Sequence, residues 1–193
     1  MSDKAQTHHD ILRRASEAFQ RHGSGVGIGE IMKELGLTRG GFYRHFGSKD
    51  DLLVEAVALS LNEIADRLDR IAQKAEPGSE LAGIITAYMS EEQLHHPESW
   101  CALATLSSDI GRQSTPVRKR LDAAMLQYME KMLKYMPGAT QQERSGTFLV
   151  LFSGMAGAMA MMRAMGDKEM RHQVLGLTRG YYLKTFAAGN VSS

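Results

Sequence analysis

Between Gly36 and Lys49 the sequence carries one helix stop and two helix starts, which leaves room for a single short helix between them. Gly36 is suited to the left-handed residue that closes a helix, because it has no Cβ to clash there. Thr38 is a good N-cap for a restart. Ser48 is a second N-cap, with Asp50 and Asp51 placing acids in the first turn of the next helix. Between the caps, Phe42 and Phe46 stand four apart and share a face. Arg39, Tyr43 and Arg44 point elsewhere, with His45 and Lys49 flanking. A short helix with an apolar underside and a basic, aromatic outer face, entered by a tight turn, is what a helix-turn-helix reader of DNA requires.

The chain on either side reads as helix throughout, so the expected fold class is all-α. Ile11, Leu12, Ala15, Ala18 and Phe19 repeat at steps of three and four over residues 7–22, and Gly23 and Gly25 close that helix. A second follows, with Ile28, Ile31, Met32 and Leu35 on one side. From Ser48, the series Leu53, Val57, Leu61, Ile64, Leu68, Ile71 predicts one long helix over 48–75, stopped by Pro77-Gly78. Its length suits a coiled coil or a helix lying across a bundle, and it is read as the latter. Further helices are expected over 80–93, 102–110, 116–135, from a Thr140/Glu143 capping box to about 165, and over 170–186. No strand alternation or solenoid repeat interrupts the pattern.

Composition narrows the function. A chain of 193 residues, 43% hydrophobic, buries a real core. The single cysteine, Cys101, excludes an internal disulfide and fits a reducing compartment. The amino terminus carries polar residues and no signal-like apolar core. The apolar run over 147–162 falls short of the ~20 residues a membrane span needs. A cytoplasmic protein without a membrane partner is the expectation. Net charge is only +1, yet from Leu37 to Lys49 there are Arg39, Arg44 and Lys49 and no acid. A balanced chain therefore hides a local cationic patch.

The run Gly-Leu-Thr-Arg-Gly-Gly-Phe-Tyr-Arg-His-Phe-Gly-Ser-Lys-Asp-Asp-Leu resembles the DNA-binding signature of TetR-family transcriptional regulators, and the likeness extends without a gap from about Ile11 to Val57. The resemblance implies a helix-turn-helix domain over 1–47. It also implies a larger helical domain over 48–193 for ligand binding and dimerisation, with 48–75 as the connecting helix. It implies DNA contacts from Thr38, Arg39, Gly40, Gly41, Tyr43, Arg44, His45 and Lys49, the last two seating the module on the phosphate backbone. Arg39 is placed either to read guanine bidentately or to hold a phosphate. Tyr43 either hydrogen-bonds a phosphate or only packs. Gly40 and Gly41 are poor interior helix residues, which close backbone approach to DNA would explain. Relatives often carry Ser or Thr near the start of the second helix; here Gly27-Ile28-Gly29 removes that phosphate contact.

The implied partners are a double-stranded palindromic operator, a second copy of the chain and a small apolar or aromatic effector. Repression is the commonest outcome in such regulators. The dimer face is expected on 147–162 and 170–186, where Ser153, Gly154, Gly157, Ala158 and Ala160 permit close helix approach. Candidate effector residues are Trp100, Cys101, Tyr128, Met129, Met155 and Met159. The methionine cluster suits either an adaptable pocket or ordinary core. Cys101 is either a reactive thiol at a helix start or a small buried residue. No cofactor, metal site or catalytic constellation is expected, since the seven histidines show no ligand spacing. A helical small-molecule or lipid binder that does not read DNA is the alternative.

Overall fold

The computed structural model describes residues 3–96 and 101–187, and every regular element among them is helical. In chain order these are α1 (Asp3–His22), α2 (Ile28–Glu34), α3 (Arg39–Phe42), α4 (Lys49–Lys74) and α5 (Glu80–Tyr88). Then come α6 (Glu91–His95), α7 (Ala102–Gly111), α8 (Thr115–Met132), α9 (Gln141–Ala164) and α10 (Lys168–Tyr182). A 3₁₀ turn, Leu133–Tyr135, extends α8, and a π turn, Leu183–Ala187, extends α10.

Local chemistry explains most boundaries. The α1 helix ends where Gly23, at φ +79°, donates its N–H to Phe19 O at 2.8 Å. The end of α2 is a Schellman motif: Leu37 N reaches Met32 O at 2.9 Å and Gly36 N reaches Lys33 O at 3.0 Å, with Gly36 at φ +66°. The Thr140/Glu143 capping box opens α9, with both reciprocal bonds present.

The chain packs as two compact units. One takes the sequence through Asn62 together with the segment ending at Met125; the other takes Glu63–His96 and the chain from Leu126 onward. In the first, Ile11, Ala15 and Phe19 of α1, Ile31 and Met32 of α2, and Leu52, Leu53 and Val57 of α4 are buried. In the second, the rings of Tyr88, Tyr128, Phe148 and Phe152 form a continuous cluster with centroids 4.5–5.7 Å apart. Such aromatic pairs add to area burial through edge-to-face geometry. Both α4 and α8 run from one unit into the other. At 26 residues and ~1.5 Å each, α4 extends roughly 39 Å.

One expectation changes. The single helix over 80–93 is broken at Met89, which leaves helical geometry at ψ 57°, and Ser90 starts α6. The break costs little because Met89 stays fully buried and its carbonyl accepts a hydrogen bond from Arg179 Nη1 at 3.3 Å. The helix expected from the Thr140/Glu143 box to about 165 forms as α9. At 24 residues, α9 is long and apolar enough to cross a bilayer by length and composition alone. Instead its Phe148, Leu151, Phe152, Met155, Met159 and Met162 form one face buried in protein.

Candidate nucleic-acid interface

The reading segment is shorter than a free helix could be. Four residues form one turn, and nucleation makes such a turn unstable without tertiary support. Support comes from below: Phe42 and Phe46 are buried and stacked at 5.4 Å, and His8 of α1 stacks on Phe46 at 4.5 Å. It also comes from the ends. Thr38 Oγ1 accepts from Gly41 N at 3.2 Å, and Ser48 Oγ accepts from Asp51 N at 3.1 Å. The chain between them continues in tight turns, with His45 N bonded to Phe42 O at 2.9 Å and Phe46 N to Phe42 O at 3.0 Å.

Above this floor stand the cationic residues. Arg39 and Arg44 are exposed, and Tyr43 is 59% exposed with its ring edge-on to Phe42 at 5.1 Å. Thr38 and Gly40 are exposed and Gly41 half-buried; Lys49, at the first residue of α4, is half-buried. A Cβ on Gly41 would meet Thr38 Oγ1 at 3.6 Å and Met32 Cε at 3.8 Å, which is ordinary contact. Nothing inside the subunit therefore demands glycine there.

His45 is drawn in by a feature the sequence did not announce. Its ring lies 5.9 Å from that of His8, and the two line a cleft of about 350 Å³ with Lys4 and Ala5. His8 Nε2 in turn lies 3.2 Å from Glu55 Oε2 on α4. Burial, and then His8, Lys4 and Arg44, hold the His45 imidazole below its ordinary value of 6.5. Its Nδ1 is enclosed without a hydrogen-bond partner. Lys4 and His8 were legible in principle, since His8 falls on the stripe of Ile11, Leu12 and Ala15. Their meeting with His45 needed the fold.

The predicted effector residues come apart. Tyr128, Met155 and Met159 are buried in the second unit, Met129 is half-buried there, and Cys101 is buried in the first. Trp100 lies outside the described residues. None of the five described lines the open cleft of about 560 Å³ beside α4, whose walls include Arg67, Ile71, Ala82, Gly83, Thr86 and Gln93. Three metal-capable side chains nowhere cluster among the described residues. The dimer expectation fares differently in kind: Leu149, Val150 and Met161 of α9 and Met170, Leu177 and Tyr181 of α10 are exposed, with Leu177 at 76%. Gly154, by contrast, packs under Tyr182 of the same chain, where a Cβ would collide with the phenol.

Residues 11–56 match the model of "Bacterial regulatory proteins, tetR family". The chain is 38% identical over 78 residues to the HTH-type transcriptional regulator AcrR of Shigella flexneri, covering 40% of this chain and 36% of that one. It is 37% identical over 84 residues to the HTH-type transcriptional regulator LmrA of Bacillus subtilis (strain 168), covering 42% and 43%. The matched stretch thus spans about two fifths of each curated relative. Solved structures extend the likeness in fold over the whole length. A TetR-family transcriptional regulator from Agrobacterium tumefaciens superposes with a TM-score of 0.74 at 19% identity over 96% of this chain and 100% of that one. One from Cytophaga hutchinsonii gives 0.76 at 14% identity over 100% and 99%. The amino-terminal module thus matches the TetR family model in sequence, and the full length is similar in fold to solved TetR-family regulators.

Proposed function

We propose that this chain is a cytoplasmic, non-enzymatic transcriptional regulator that binds a near-palindromic operator as a homodimer and represses until a small molecule releases it. The observation that carries the reading is the acid-free face of Arg39, Tyr43 and Arg44, exposed above the buried Phe42 and Phe46. Arg39, in the first turn of α3, is the residue proposed to reach base edges; a bidentate arginine–guanine pair discriminates by ~1–3 kcal/mol. Tyr43, Arg44, His45 and Lys49 are proposed to hold phosphates, which set register without reading sequence. The functional division at residue 47 is part of the same proposal.

A twofold dimer must present its two reading helices to major grooves about 34–36 Å apart. The exposed apolar residues of α9 and α10, two helices that pack on each other, support such a dimer, because exposed apolar side chains grouped together mark an interaction site. An apolar or aromatic effector is proposed to occupy the 560 Å³ cleft beside α4, a volume within the usual range for small ligands. Arg67 and Ile71 of that cleft lie on the helix that begins at Lys49, so occupancy bears on the reading segment's own support. Release then requires that the ligand prefer the conformation that does not bind DNA.

Selection of duplex fragments from genomic DNA by the full chain, followed by gel-shift titration, tests the reading. Recovery of discrete fragments with dyad symmetry is expected. Retardation of every fragment alike, or of none, would point to the helical ligand binder instead.

A further inference from the structure

Resting on the DNA-binding reading, we infer that Asp109 and Arg120 are positioning residues that fix the pose of the helix-turn-helix from outside it. The need arises within the head. Its α2 and α3 helices are seven and four residues long, too short to hold their own direction. The loop into α2 carries Gly23, Gly25 and Gly27, and α2's N-cap, Gly27, offers no side-chain bond. A glycine-rich entry without a cap is expensive to order and cheap to deform.

Asp109 of α7 supplies the missing fixture from 85 residues away. Its Oδ1 accepts from Ser24 Oγ at 2.8 Å and from Ser24 N at 3.3 Å. The carboxylate also sits 3.6 Å from where a Gly23 Cβ would stand, closing over the left-handed turn. Asp109 is itself steadied by Arg112 at 3.4 Å, and its side chain is only 22% exposed. At the far end of the head, Arg120 of α8 performs a matching role. Its Nη1 lies 2.6 Å from Asp51 Oδ1, while Ser48 Oγ donates to Asp51 Oδ2 at 2.7 Å. The Ser48 hydroxyl and Arg120 together hold the Asp51 carboxyl below the ordinary carboxylate range.

The two contacts grip the loop before α2 and the start of α4, which bracket the reading turn on both sides. Both belong to one compact unit, which joins α7 and the first part of α8 to the amino-terminal helices. Exposed pairs such as Arg120–Asp51 contribute little to global stability. Their removal therefore spares the fold and loosens the pose. Phosphate contacts tolerate such looseness; base contacts, which need fixed geometry, do not.

The test compares two DNAs: a duplex selected by the wild-type full chain from a random-sequence pool, and an unrelated duplex of equal length. Asp109→Ala and Arg120→Ala should each weaken binding to the selected duplex about tenfold, a usual size for such coupling, and leave the unrelated duplex within about twofold. Asp109→Asn, which keeps an acceptor oxygen for Ser24, should recover most of the loss. The inference is overturned if both alanine variants bind the selected duplex like wild type, or lose affinity equally for both DNAs. Should Asp109→Ala lose its helical circular dichroism, Ser24→Ala decides, since it removes one donor from a loop. A selective loss there supports the role and unchanged binding refutes it. If the wild-type chain selects no sequence at all, the DNA-binding reading fails first and this inference with it.

Discussion

The reading turn and the α9–α10 pair both leave large side chains in solvent, but for opposite reasons. In the first, Arg39, Tyr43 and Arg44 stand over a floor that Phe42 and Phe46 complete within the subunit. In the second, Leu149, Val150, Met161, Leu177 and Tyr181 are apolar and face solvent within the single chain. One surface is polar and backed by buried aromatics; the other is apolar and exposed. The difference teaches that exposure alone does not identify a binding site. What matters is whether the exposed atoms are ones that water solvates well.

The sharpest way to break the contrast is to remove the floor under the reading turn. Phe42→Ala should cost about 3–5 kcal/mol through lost burial and the cavity left behind. Thermal melting should drop steeply and amide protection across 28–46 should vanish, while the aromatic cluster of Tyr88, Tyr128, Phe148 and Phe152 persists. Leu177→Ala attacks the other surface. If α10 buries that side chain against a second copy, the substitution should weaken association by about 2 kcal/mol per copy. Sedimentation would register this as a shift toward monomer with unchanged melting of the monomer. An unaltered monomer–dimer balance would remove Leu177 from the interface.

Gly41→Ala separates stability from function at a single atom. A Cβ there meets only ordinary contacts and its φ is not positive, so alanine should stabilise the turn by ~0.5–1 kcal/mol. If glycine is there to let backbone approach DNA, the same change should weaken operator binding. Tighter folding with undiminished binding would reduce Gly41 to an accident.

The smallest effect concerns acid. Asp51 is depressed by Ser48 and Arg120, and Asp69 by Lys134 and Tyr135, which reach it at 2.6 and 2.7 Å. A carboxylate with a lowered folded-state pKa stabilises above the ordinary carboxylate range and loses that contribution as pH falls through the folded value. His45, lowered chiefly by burial, follows the same sign from its ordinary 6.5 downward. Stability followed by urea titration should therefore decline first in the amino-terminal unit as pH drops below about 6.5, and in both units only in the carboxylate range. Replacing His45 with Gln should abolish the earlier decline.

How much of this was readable from sequence follows from the range of each determinant. The Schellman motif at Gly36, the Thr38 and Ser48 caps and the Thr140/Glu143 box are fixed by neighbours within five residues, so residue types in order sufficed. The α-helical class and the apolar undersides followed from periodicity. By contrast, Ser24–Asp109 and Asp51–Arg120 join residues 85 and 69 apart, and no local pattern marks them. The carbonyl at the Met89 break is met by Arg179, ninety positions later. Effector contacts likewise have no local signature. Methionine and aromatic content marks Tyr128, Met155 and Met159 as apolar, but only packing decides whether apolar side chains line a space or fill one. Those three are buried, while one open cleft is walled by residues of α4 and α5.

The central claim is that Arg39 reads bases while Lys49 only holds the backbone, and one paired measurement tests it. Operator affinity of Arg39→Ala and Lys49→Ala should be titrated against the selected duplex and its single-base variants across a range of salt. The account predicts that Arg39→Ala flattens preference at one base position by ~1–3 kcal/mol, whereas Lys49→Ala weakens all duplexes alike and lowers the salt slope by about one. An Arg39→Ala chain that kept both its affinity and its base preference would contradict it.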